Sequence, residues 1–141
     1  MDDSFNLQRF VDAQAPIYSQ ALDELELGQK ASHWMWFIFP QVEGLGRSAT
    51  AQQYAISSAE EAQAYLQHAV LGPRLVECVN ALLGLDGCTA EQIFGGTDTL
   101  KLRSSLTLFL AASGGEQVFE DALDKYFDGL PDLRTLTAIR C

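Results

Sequence analysis

Apolar positions recur three and four apart through most of this chain, the spacing of helices that bury one side. Phe5 and Phe10, then Ile17, Ala21, Leu22 and Leu25, predict two helical segments. Ser4 is a candidate cap for the first, Pro16 opens the second and Gly28 ends it. Ser58-Ala-Glu-Glu61 has the spacing of a capping box, so a helix should start there, with Ala62, Tyr65 and Leu66 on one face before His68. Leu71, Leu75, Cys78, Val79 and Leu82 make the stripe of the next helix. Gly72-Pro73 is compatible with it only in the first turn, where a missing N–H costs nothing. Gly84 to Gly87 is the exit loop.

Further on, Thr89 caps a short turn through Phe94 that Gly95-Gly96 breaks. Thr97-Asp98 reads as a fresh helix start, with Leu102, Leu106, Phe109 and Leu110 as its stripe and Ser113-Gly114-Gly115 as its stop. Val118, Phe119, Ala122, Leu123, Tyr126 and Phe127 form another stripe, ended by Gly129-Leu130-Pro131. A last turn runs from Asp132 to Ile139. With no fixed-period repeat, linker or low-complexity tract, the prediction is all-α: a single compact domain over residues 1–141, built from about seven or eight short helices. Only Ser32 to Ala49 resists assignment. Trp34-Met-Trp36-Phe-Ile-Phe39 suits a buried strand as well as a buried helix. Gly44-Leu-Gly46-Arg-Ser-Ala49 then spells a dinucleotide loop, but Pro40-Gln-Val-Glu43 intervenes and no alternating strands follow, so a plain glycine turn is the expectation.

Composition changes the picture in one respect. Across 141 residues, 48% hydrophobic, nine basic residues stand against nineteen acidic ones, a net charge of −10. Such a field repels nucleic acid and anionic membranes, so an anionic ligand needs a locally positive pocket. The first residues have neither a basic flank nor an apolar stretch behind them, and the longest apolar run is six residues. No secretion signal and no membrane span are expected, and the cytoplasm is the expected location. Three cysteines, Cys78, Cys88 and Cys141, lack CxxC or zinc spacing, and read as a reduced core thiol and two incidental ones. No metal site and no cofactor is expected. The G-x-S-x-G turn and the G-K-(S/T) phosphate loop are both missing from the sequence.

The string His33-Trp-Met-Trp36-Phe-Ile-Phe-Pro-Gln41, followed by Gly44-Leu-Gly46-x-Ser48, resembles the signature of DUF1810, a family of domains of unknown function. Agreement continues through Tyr54-Ala-Ile56, Ala64-Tyr-Leu66, Arg74-Leu75, Lys101-Leu102, Ser104-Ser105 and Thr135-Leu136. The resemblance implies a mainly α-helical single domain and resolves the ambiguous segment toward helix. It implies no activity. Some members carry the label "calpastatin-related", but calpastatin inhibitory segments are disordered, whereas this chain carries an apolar core pattern throughout.

Candidate chemistry gathers in two places. On a helix, Asp98, Lys101, Ser104 and Ser105 fall within about 120° of one another at the edge of the apolar stripe, where an ammonium and two hydroxyls can grip a phosphate or carboxylate. The plainer reading is an i,i+3 ion pair with serines bonded back into their helix. His33 beside Trp34 and Trp36 suits recognition of a flat ring, with Gly44 and Gly46 letting a ligand approach the backbone; the plainer reading makes the indoles core anchors. Arg74 is a candidate anion binder or a surface partner of Glu77, and His68 a boundary cap. The leading expectation is a small anionic, ring-bearing ligand such as a nucleotide or ADP-ribose derivative. If turnover follows, His33 or Asp98 is the base and Lys101 the charge stabiliser. The alternative is a non-catalytic protein-interaction module using an exposed aromatic patch.

Overall fold

The computed structural model describes residues 3–140, so Cys141 lies outside them. In chain order the helices are α1 (Gln8–Gln14), α2 (Tyr18–Leu27), α3 (Met35–Ile38), α4 (Ala49–Gln53), α5 (Ala59–Gln67), α6 (Leu71–Leu83), α7 (Ala90–Ala112), α8 (Gln117–Phe127) and α9 (Leu133–Arg140). Two single-turn helices, α3 and α4, take the count above the expected seven or eight. Among the described residues the backbone makes no sheet. Its one strand-like feature is a parallel bridge between Val42 and Ile56, with Glu43 N–H on the Ile56 carbonyl and Ile56 N–H on the Gln41 carbonyl, both at 2.8 Å.

The helix ends follow local chemistry. Gly28 sits at φ 77° and closes α2, as glycine at that position can. Thr89 and Gln92 form a reciprocal capping box at α7. At α5 the Ser58 hydroxyl takes the Glu61 N–H, but the Glu61 carboxylate reaches one residue further back, to the Ser57 N–H and hydroxyl. It also pairs with Arg9 at 2.9 Å, tying α1 to α5. Ser4 does not cap α1. The Asp3 carboxylate does so instead, accepting from Leu7 N–H at 2.7 Å and Gln8 N–H at 3.0 Å, and these bonds hold its pKa below the usual range. The glycine break is a kink inside α7: Gly95 lies at φ 80°, ψ 174°, and the helix resumes at once rather than at Thr97-Asp98.

α7 is the central post, packing against α5, α8 and α9, while α6 lies against α2, α5 and α8. Two ring clusters knit these layers. Phe10, Tyr65, Phe109 and Phe119 run in series through α1, α5, α7 and α8, with centroids 5.1, 5.2 and 6.1 Å apart. Trp34, Phe39 and Phe94 form a triangle beneath the kink. The accessible surface of 7292 Å² matches the ~7,200 Å² expected of a folded monomer of this mass. Among the described residues, no helix is long and apolar enough to cross a membrane.

Candidate functional site

Trp34 belongs to the core. It is wholly buried, and its Nε1–H donates to Glu24 Oε1 at 2.8 Å. The same carboxylate accepts from the N–H groups of Ala31 (2.9 Å) and Ser32 (3.0 Å), from the Ser32 hydroxyl (2.7 Å) and from Gln20 (3.1 Å). Burial alone would push its pKa up. The donors outweigh burial and bring it down to about 2. Glu24 therefore shapes the loop from Gly28 to Trp34 and sends Lys30 back over α7. The Lys30 ammonium meets Asp98 at 2.9 Å and stacks 5.0 Å from the Trp34 ring.

Trp36 and Lys101 lie side by side. The Lys101 ammonium lies 5.3 Å from the Trp36 ring centroid and 3.8 Å from Asp98, too far for a hydrogen bond. On one side of Lys101 the hollow against Trp36, Gln41 and Gly46 has a volume of only about 10 Å³. On the other a cleft of about 360 Å³ opens between α7, the 41–46 loop and the start of α9. Lys101, Arg103 and Arg134 line it, with Asp132 as its carboxylate. One oxygen of that carboxylate is engaged: Asp132 Oδ2 accepts from the Thr135 N–H (3.1 Å) and hydroxyl (2.5 Å) at the start of α9 and from the Ser104 hydroxyl at 3.2 Å. Arg103 donates to the Leu130 and Pro131 carbonyls at 2.9 and 3.0 Å and still has N–H groups to spare. Thr107 completes the row by accepting from Asp132 N–H at 2.9 Å.

The remaining candidates separate. His33 is exposed and lines neither hollow. Ser105 is fully buried, and its hydroxyl has no hydrogen-bond partner, so Ser104 is the serine that borders the cleft. Gly46 lines the cleft; a Cβ there would come within 2.5 Å of the Ala51 Cβ. Gly44, at φ 97°, lines the neighbouring groove. Arg74 is used internally, stacked 4.7 Å from the Tyr18 ring and donating to Gln14 at 3.3 Å, while Glu77 takes the Tyr18 hydroxyl. His68 caps α6: its Nδ1 accepts from the N–H groups of Val70 and Leu71 at 3.1 and 3.3 Å. Cys78 is a buried thiol pushed up to about 12 by desolvation, the opposite of an activated nucleophile. Among the described residues no three His, Cys, Asp or Glu side chains gather as a metal site. Among the described residues, the exposed large apolar side chains are leucines, not aromatics.

Sequence reasoning missed Arg103, Arg134, Asp132 and Lys30. Arg103 was legible as a neighbour of Lys101 on α7, but nothing local in the sequence says that the 130–135 segment docks there.

A family model described as a protein of unknown function (DUF1810) matches residues 4–139. Among solved structures, the conserved hypothetical protein Rv1873 from Mycobacterium tuberculosis is similar at 52% identity over 99% of each chain, with a TM-score of 0.97. No curated protein matches.

Proposed function

Because this chain belongs to the DUF1810 family, whose description assigns no activity, we propose its function from the cleft: it binds a small phosphate-bearing ligand. One observation carries the reading. Three of the nine basic residues of a −10 chain converge on one hollow that a single carboxylate, Asp132, also lines, so the cations outnumber the acid there. Two guanidinium forks and an ammonium suit a doubly charged phosphate better than a single carboxylate.

The reading is one of recognition. As a base, Asp98 would first have to leave Lys30 at 2.9 Å, and His33 stands outside the cleft. A nucleotide or ADP-ribose derivative would place its phosphate here. Its ring has no room in the hollow against Trp36, which at about 10 Å³ is no larger than one water molecule. Lys101 should therefore dominate. In thermal-shift titrations with orthophosphate, ADP and ADP-ribose, at least one ligand raises Tm, and Lys101→Ala weakens that ligand's Kd by roughly tenfold, the loss of one charge-assisted contact. No shift with any phosphate, or an unchanged Kd in the variant, removes the reading.

A protein-interaction role rests on a different observation. Leu100 and Leu130 are 64% and 59% exposed, and a partner that joined them into one covered patch would gain by burying them. It becomes the leading reading if the phosphate titrations are blank.

A further inference from the structure

The cationic cleft continues into a second hollow. Beyond Leu45 and Arg134, which line both, a shallow groove of about 450 Å³ runs between the 43–45 loop and α9. Its floor is made by Leu45, Leu133 and Ala138, and Leu133 is 72% exposed. Such a side chain gains by being covered. Resting on the phosphate reading above, we propose that the ligand is an anionic amphiphile: a phosphate monoester whose headgroup sits among Lys101, Arg103 and Arg134 and whose short alkyl or acyl chain lies along this groove.

Two features support that occupant over an unattached apolar one. First, the groove and the cleft adjoin, sharing Leu45 and Arg134, so a molecule seated by its phosphate brings its chain within reach of the leucines. Second, charge fixes the orientation. The cleft sets three cations against one carboxylate, Asp132, whereas the groove sets only Arg134 against Glu43, so a phosphate is favoured in the cleft. Head in the cleft and chain in the groove is the arrangement that satisfies both ends. The groove is open on one side, so a methylene laid in it recovers part, not all, of the transfer energy of a fully buried one.

The test is a calorimetric series of orthophosphate and ethyl, butyl, hexyl and octyl phosphates, kept below micelle-forming concentrations, on the wild type, Leu133→Ser and Lys101→Ala. The expected result is a Kd that falls roughly twofold per methylene, about tenfold or more from ethyl to hexyl. Leu133→Ser should flatten the series while leaving the orthophosphate Kd unchanged, and Lys101→Ala should weaken every member. Equal Kd values along the series, still weakened by Lys101→Ala, overturn the chain subsite and leave the phosphate cleft standing. A chain-length dependence that survives Leu133→Ser places the chain elsewhere and also overturns it. Absence of binding by any phosphate overturns the cleft and the subsite together.

Discussion

Replacing Glu24 with alanine is expected to cost about 3 kcal/mol, because it strips the acceptor from the buried Trp34 donor and from half-buried donors of the 31–32 segment rather than merely removing a charge. Trp34 Nε1–H, the Ala31 and Ser32 N–H groups and the Ser32 hydroxyl all lose their partner together. Glu24→Gln should cost less, since an amide oxygen still accepts, but its NH2 then faces other donors. The pH dependence follows from the sign of the shift. The folded pKa of about 2 lies below the ordinary value of 4.5. The contribution is therefore fully present above about pH 5 and fades as pH falls from 4.5 toward 2. Denaturant midpoints at pH 7, 4 and 2.5 check this: the gap between wild type and Glu24→Gln should shrink as the solution becomes more acid. A gap that stays constant would show that the carboxylate is protonated, or unpaired, in the native state at every pH.

The second large effect is expected at Gly72. A Cβ built there lies 2.1 Å from the Leu66 carbonyl oxygen, a backbone atom that cannot swing aside. The first turn of α6 rests directly on the end of α5 at this point, with Gly72 N–H on the His68 carbonyl at 3.1 Å. Gly72→Ala must push the two helices apart and repack Leu71, Leu75 and Tyr65 around the gap. About 3 kcal/mol or more should be lost, on the order of 10 °C in Tm for a chain of this length. Gly84→Ala is the control. Gly84 has a helical φ of −77°, and the nearest atoms to its added Cβ are 3.6 Å away. That substitution should be neutral or raise stability by about 0.5 kcal/mol, through the unfolded chain. Thermal melts of the two variants, side by side, separate steric contact from backbone entropy.

Much of the architecture was readable from local chemistry because helix ends are decided by a few neighbouring atoms. Gly28, Thr89 and the Ser58 cap each work within four residues of themselves. The stripes of α6 and α8 needed only their period. The 32–49 segment was ambiguous because its apolar run is shorter than either periodicity needs, and α3 proves to be a single turn. Half of the candidate site was legible for the same local reason: Lys101 and Ser104 share a face of α7, and Trp36 sits in the distinctive aromatic string. The other half depends on which distant segment docks on that face. Arg103, Ser104 and Thr107 look like a solvated row until the backbone of 130–132 and the Asp132 carboxylate are seen held by them. His33 illustrates the opposite failure, since a residue adjoining a buried tryptophan can still point to water.

The gathering of positive side chains at one cleft of a strongly acidic chain also bears on how a ligand arrives. At low ionic strength the Debye length reaches about 30 Å, so an incoming anion feels the whole molecule and is turned away by its excess of carboxylates. Near physiological salt that length contracts to about 8 Å, and only the nearby ammonium and guanidinium groups are sensed. Association measured by stopped flow should therefore quicken as salt is first added and slow again once the cleft itself is screened, a maximum that a uniformly charged surface does not produce.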